Sequence, residues 1–200
     1  METLATRSFR LPDRAHADAP WRIHEIAPDF DLEDVWALPT PGGPGDLGRL
    51  VRQFASDDDD EISSAFAVRT LFAIRWRLGS VMRWDGERSG VGSRVVSLRD
   101  RLPDDLRDGT RGPDLQAVPF RSVYQTDTEW VAELANRTVH ALLHVGWVPS
   151  GDGYQGQMAS LVKPAGRFGR TYMAGIRPLR RAIVYPQLIR SIGRNWPRYA

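Results

Sequence analysis

Apolar and polar residues alternate with period two over Trp21-Arg22-Ile23-His24-Glu25-Ile26, the pattern of a half-buried strand, and Pro28 ends it. The preceding residues, 1–20, are polar and small with Pro12 and Pro20, and read as a loose lead-in. Asp31, Glu33 and Asp34 supply acids suited to a helix N-terminus, while Leu32, Val35 and Trp36 share one helical face, so the pattern predicts a short helix over Asp31 to Leu38. A Pro/Gly turn from Pro39 to Pro44 leads to a second helix, Leu47 to Phe54, carried by Leu47, Leu50, Val51 and Phe54. The apolar segment Ala65 to Trp84 also contains strand-like alternation at Phe72, Ile74, Trp76 and Leu78. Its length without an internal turn predicts a helix, entered from the acidic run Asp57-Asp58-Asp59-Asp60-Glu61 with Ser63 or Ser64 as cap.

From Val118 the pattern changes. Phe120 to Tyr124, Glu129 to Ala135, Thr138 to Val148 and Tyr154 to Val162 are rich in β-branched and aromatic residues. Thr126-Asp127, Asn136-Arg137 and Ser150-Gly151-Asp152-Gly153 punctuate them as hairpin turns, which predicts an antiparallel meander. In the third strand Val139, Ala141, Leu143, Val145 and Trp147 fall on one face, and His140, Leu142, His144 and Gly146 on the other. Residues 167–196 read as helix again, with Pro178 compatible with a first turn and Pro186 expected to kink it. Helices and strands that segregate in this way define an α+β fold, with the sheet curling around the last helix.

Two hundred residues with 42% apolar content suffice for one compact domain, expected over 21–198. The absence of Cys excludes disulfides, thiolate metal sites and any Cys nucleophile, and fits a cytoplasmic location. Met1 to Pro12 carries Glu2, Arg7 and Arg10 and has no apolar core of signal-peptide length. The longest uncharged run, Thr138 to Gly151, is 14 residues and holds Gly146 and Pro149. A membrane-spanning helix needs roughly 20 apolar residues.

The net charge of +2 hides a polarity. Nine of the 27 cations and none of the 25 acids lie beyond Asp152, so residues 1–152 carry −7 and the tail +9. Arg190, Arg194 and Arg198 stack at helical spacing, whereas Arg177 and Arg181 point elsewhere on the wheel. The expected reading is a helix that complements its own acidic body. Weak peripheral contact with an anionic membrane is the lesser alternative, and no nucleic-acid partner is expected.

Several motifs fail on their chemistry. Gly43-Pro44-Gly45-Asp46-Leu47-Gly48 has the spacing of a dinucleotide fingerprint, but a helix-like segment precedes it, and Ala67 stands where the ribose-binding acid is expected. His140 and His144 on a strand share a face about 13 Å apart, too far to hold one metal ion. Because the opposite face is the more apolar one, these rings are expected on the exterior. The acidic run lacks the Gly and Glu of a calcium loop, with Ile62 and Val68 in their places. Gly-x-Ser-x-Gly, Walker and Ser-x-x-Lys patterns are missing. No catalytic residue, metal ligand or cofactor site is assigned. Seven Trp, five Tyr and seven Phe are more than a core of this size strictly needs. Trp36, Trp76, Trp130, Trp147, Tyr154 and Tyr172 fall on segments expected to face inward, as the lining of an apolar ligand site does.

The blocks Trp21-Arg22-Ile23-His24-Glu25-Ile26, Leu71-Phe72-Ala73-Ile74-Arg75-Trp76-Arg77-Leu78-Gly79, Glu133-Leu134-Ala135-Asn136-Arg137-Thr138-Val139-His140, Gly146-Trp147-Val148-Pro149 and Gly156-Gln157-Met158 resemble the bacterial family called domain of unknown function 2867. That family is similar to the START-like, Bet v 1-like (SRPBCC) helix-grip superfamily. The resemblance implies a curved antiparallel sheet wrapped around a long C-terminal helix, with a cavity between them. It transfers no catalytic residues, and the NAD(P)-binding module found in related proteins is absent here. The superfamily usually has six or seven strands, so a further strand is expected within 91–116, with Arg94 to Leu98 the candidate. The function implied is binding of a small hydrophobic or amphipathic ligand, with Glu133, Asn136, Gln157 or Tyr154 orienting it. Alternatives are a cyclase- or hydrolase-like enzyme in the same cavity using His140 or His144 as general base, and a homodimer formed through an exposed His140–His144 face.

Overall fold

A computed structural model describes residues 9–56, 91, 95–116, 118–136 and 138–199. The predicted helix over Ala65 to Trp84, the acidic run before it and Trp76 lie outside the described residues. The elements are β1 (Arg10–Leu11), α1 (Arg14–Ala17), α2 (Ile23–Ile26), β2 (Asp31–Ala37), α3 (Leu47–Ala55), a 3₁₀ turn (Leu98–Arg101) and α4 (Asp104–Arg107). There follow β3 (Arg121–Gln125), β4 (Glu129–Ala135), β5 (Val139–Ser150), β6 (Gly153–Pro164), α5 (Gly166–Leu179), a π-helical turn (Arg180–Val184), α6 (Tyr185–Asn195) and a terminal 3₁₀ turn (Trp196–Tyr199). The six strands form one open antiparallel sheet in the order β1-β2-β6-β5-β4-β3.

The meander β3 to β6 forms where the alternation places it. Strands β5 and β6 pair over their full length, from Val139 with Pro164 to Ser150 with Gly153. Gly151 closes their hairpin at φ +57°, a backbone region that residues with a Cβ disfavour. At the β4–β5 turn, Asn136 Oδ1 accepts hydrogen bonds from Thr138 N, Thr138 Oγ1 and Val139 N, so this side chain builds the turn.

The N-terminal half corrects three expectations. Trp21 to Ile26 is not a strand: Ile23–Ile26 is a helical turn that buries Ile23 and Ile26 against the sheet. Asp31 to Leu38 is not a helix but strand β2, paired with β6 from Asp31–Val162 to Ala37–Gln157. Short amphipathic windows satisfy both periods, and the open edge of β6 decided the second one. The lead-in carries β1, paired with β2, and α1, whose His16 is buried. The sheet reaches six strands through β1 and β2; Arg94 of the strand expected within 91–116 lies outside the described residues. Among the described residues there, Val91 and Val95 form a single bridge and the chain then turns helical at Leu98.

Both faces of the sheet are covered. On one side Leu38, Leu47, Leu50, Val51, Val145, Met158, Ile189, Ile192 and Trp196 pack the sheet against α3 and α6. On the other, Trp21, Ile23, Ile26, Leu98, Leu102 and Leu106 pack α2, the 3₁₀ turn and α4 onto Val35, Val131, Leu142, Ala159 and Leu161. The sheet therefore does not bury a single face against its last helix; it is the middle layer of three.

The C-terminal helix runs from residue 166 to 195, and the interruption expected at Pro186 takes the form of the π-helical turn immediately before it. Proline lacks an N–H and its ring crowds the carbonyl four residues back, and a widened turn relieves both. Pro178 lies inside α5 rather than in a first turn.

The charge polarity resolves into contacts within the chain. A bulge in β2 between Leu32 and Asp34 turns Glu33 and Asp34 together toward the helix. Buried Arg180 donates from Nη2 to Glu33 Oε2 at 3.1 Å and Asp34 Oδ2 at 2.9 Å. Arg181 donates from Nε to Asp34 Oδ1 at 2.5 Å and from Nη2 to the Glu33 carbonyl, and Arg177 holds Glu33 through two contacts at 3.2 Å. Lys163 meets Asp29. Arg190, Arg194 and Arg198 are exposed.

Candidate functional site

The sheet face under α1 and α2 carries a line of buried ionisable groups. Glu129 and Glu133 lie on β4, four residues apart, and His140 and His144 lie four apart on β5, so strand alternation sends all of them to this one face. Each histidine meets one carboxylate. His140 Nε2 is 2.9 Å from Glu133 Oε2, and His144 Nε2 is 3.0 Å from Glu129 Oε2. Glu133 also accepts from Leu98 N at 2.9 Å and from Ser97 Oγ. Arg22 N donates to Glu129 Oε1 at 2.9 Å.

Two further histidines complete the cluster. His16 Nε2 lies 3.2 Å from His144 Nδ1, and His24 Nε2 lies 3.2 Å from His16 Nδ1. Trp21 covers His144, their ring centroids 5.1 Å apart. Gly146 makes that cover possible, since a Cβ there would stand 2.7 Å from the Trp21 ring. Phe30 packs edge-on against His140 at 5.0 Å.

The electrostatics follow from burial. His16 is held neutral down to about 3, first by burial and then by the neighbouring His144 and His24 rings. Burial lowers His144 as well, and Glu129 opposes that shift without cancelling it. Burial alone would raise Glu133, but hydrogen bonds from His140, Leu98 N and Ser97 bring it below the ordinary glutamate value. Burial and then the nearby Glu129 push the Tyr124 phenol well above its usual value. Tyr124 Oη, Trp21 Nε1 and Gln157 Oε1 are buried atoms on this side without a hydrogen-bond partner. No group of three or more His, Cys, Asp or Glu among the described residues is arranged to hold a metal ion.

The expected exterior position of His140 and His144 is thus corrected. Both are buried, so the exposed histidine face on which a homodimer was to form is absent. The greater apolarity of the opposite face misled because both faces are inside, and paired His and Glu side chains satisfy one another there.

The aromatic candidates gather on the opposite face. Trp36, Trp130 and Trp147 join one cluster with Trp196, and Tyr154, Tyr185 and Phe54 border it. Trp147 and Trp196 have ring centroids 6.0 Å apart, and Trp36 and Tyr185 5.2 Å. Trp130 Nε1 donates to Ser122 Oγ, Trp147 Nε1 to the Gly43 carbonyl and Trp196 Nε1 to the Pro41 carbonyl, each at 2.8 Å. Those last two bonds anchor the Gly43-Pro44-Gly45 loop. A strand rather than a helix precedes that loop, but β2 is antiparallel to β6, and Gly43 N already donates to Asp46 Oδ2 at 2.7 Å. Trp36 Nε1, Gln53 Oε1 and Ser191 Oγ in this layer are buried without a partner.

The remaining candidates are dispersed. Tyr172 borders a separate small cluster on α5 with Val139, Val162 and Met173. Glu133 lies on the histidine side, as does Gln157, whose Nε2 donates to the Ala15 carbonyl at 3.2 Å. Of the residues expected to orient a ligand, Glu133 and Gln157 are thus separated by the sheet from the tryptophans, Asn136 builds the β4–β5 turn, and Tyr154 alone borders the tryptophan cluster. Sequence reasoning missed His16, His24, Glu129 and Tyr124. The signal available was the equal spacing of Glu129 and Glu133 with His140 and His144 across one hairpin.

The architecture defines an α+β protein built on an open antiparallel sheet, with an aromatic layer under a long C-terminal helix on one side and a histidine–glutamate seam on the other. The family described as protein of unknown function (DUF2867) matches residues 26–187, and the chain belongs to it. No curated protein and no solved structure matches the chain. Among the described residues, no helix is long and apolar enough to cross a membrane.

Proposed function

We propose that the protein binds a small hydrophobic or amphipathic molecule between the sheet and its C-terminal helix, in the manner of a helix-grip domain. The observation that carries this reading is unmet hydrogen-bonding capacity on the helix side: Trp36 Nε1, in the aromatic cluster, and Gln53 Oε1 and Ser191 Oγ, on α3 and α6, are buried without partners. A buried polar atom without a partner is unfavourable by about 1–3 kcal/mol, and a ligand with one polar end would satisfy such atoms while its apolar part meets the aromatic rings. Trp36, Trp130, Trp147 and Tyr154 supply the apolar contact, and Trp36, Gln53 and Ser191 orient the polar end. Glu133 and Gln157 have no part in this site because they face the other way. For the same reason the geometry does not favour an enzyme in this space with His140 or His144 as base.

The test is tryptophan fluorescence titrated with a panel of fatty acids, polyketide-like phenols and aromatic acids, together with native mass spectrometry of the protein purified from its own host. Saturable quenching that Ser191→Ala weakens is the expected result. No retained molecule and no saturable response to any member of the panel would overturn the reading.

A further inference from the structure

All four histidines of the chain stand on one side of the sheet, and three of them form a continuous line to a buried carboxylate. Every ring in the line is oriented the same way. His24 Nε2 meets His16 Nδ1, His16 Nε2 meets His144 Nδ1, and His144 Nε2 meets Glu129 Oε2, at 3.2, 3.2 and 3.0 Å. Five of the six ring nitrogens are therefore used in series. A core that needed only volume would be filled as well by Leu or Phe, without three imidazoles to satisfy. His24, on α2, is half-buried, while His16 and His144 are enclosed, so the line leads from near the surface to the interior. We propose that His24, His16 and His144 form a relay that moves protons between solvent and the Glu129 carboxylate.

The step balances with one hydron in each gap. With Glu129 as a carboxylate, each ring carries its hydron on Nε2 and accepts on Nδ1. A proton arriving at His24 Nδ1 releases the His24 Nε2 hydron to His16 Nδ1. His16 then passes its Nε2 hydron to His144 Nδ1, and His144 passes its own to Glu129 Oε2. The product is a neutral carboxylic acid and three neutral rings, each now protonated on Nδ1. No imidazolium persists in the interior, in keeping with the burial that disfavours a charged His16 or His144. The groups facing Glu129 are the Tyr124 phenol from β3, His144 from β5 and the backbone N–H of Arg22 from α2, with His16 of α1 behind His144. The Arg22 side chain is held away by Glu25 and by Asp105 of α4. The relay lies on the opposite face from the proposed ligand site and does not depend on it.

The full chain labelled with ¹⁵N-histidine tests the relay through long-range ¹H–¹⁵N correlation, which reads each ring's tautomer and the solvent exchange of the His144 Nε2 hydron. At neutral pH His16 and His144 are expected as the same neutral tautomer. His24→Phe is expected to slow exchange at His144 by about tenfold or more, because exchange then has to wait for local opening, while β5 amide exchange stays unchanged. Equal His144 exchange in the two proteins, or opposite tautomers for His16 and His144, would overturn the relay. If His24→Phe does not fold, the wild-type tautomers decide alone.

Discussion

The two faces of this sheet both bury their side chains, by different means. On the helix side, aromatic rings interlock and each indole of Trp130, Trp147 and Trp196 finds one acceptor at its rim. On the other side, burial is bought with mutual satisfaction: carboxylates and imidazoles pair across β4 and β5 and are sealed by Trp21 and Phe30. The difference teaches that apolarity ranks faces only when one of them is wet. In a three-layer arrangement the less apolar face is also interior, and its polar groups are accommodated by pairing with one another.

Substitutions that act on one face and not the other sharpen this contrast. The largest effect is expected from Trp130→Ala, which empties a fully buried site on the helix side and leaves Ser122 Oγ without its indole donor. A loss of about 3–5 kcal/mol in urea unfolding, with no change in its pH dependence, is the expected outcome. Next is Glu133→Ala, which strands three donors, from Ser97, Leu98 and His140. About 2–4 kcal/mol is expected at pH 7, and less at acid pH, where the wild-type carboxylate is itself protonated. A constant difference across pH would mean that Glu133 acts through packing alone.

The histidine face should also give the protein an acid limit. Folded His16 stays neutral down to about 3, whereas an unfolded histidine takes up a proton near 6.5. The unfolded state therefore binds more protons across that window, so stability is full above about 6.5, falls as the pH drops, and levels off near 3. The lowered His144 acts in the same direction. Urea midpoints at several pH values should show the slope, and His16→Leu should flatten it; a slope unaltered by His16→Leu would assign acid sensitivity elsewhere. The smallest effect is expected from Arg177→Ala. It removes a half-exposed partner of Glu33 while Arg180 remains, for less than about 1 kcal/mol, an amount that added salt should reduce further.

Much of the candidate site could be read from strand parity. Trp130 and Glu133 are an odd number of residues apart on one strand, as are Tyr154 and Gln157, so a single ligand could not meet both members of either pair from one face. Grouping them by chemical type overlooked that rule. His16 and His24 were not legible by any local rule. They come from segments more than a hundred residues from His144, and their role exists only because α1 and α2 fold back over β5.

The amino-acid sequence by itself determined the β3 to β6 meander, the two side-chain faces of β5, helix α3 and the C-terminal helix with its interruption before Pro186. In each case a sustained period or a proline imposes the structure within one segment. The charge split at Asp152 also anticipated the helix-to-sheet contact through Glu33 and Asp34. Tertiary structure alone decided the rest. Strand β2 had a helix-like pattern until β6 offered its unpaired edge, and Trp21 to Ile26 had a strand-like one but folds as a helical turn that buries Ile23 and Ile26 on the sheet. Backbone groups must find partners wherever burial puts them, and for short segments that requirement outweighs local preference.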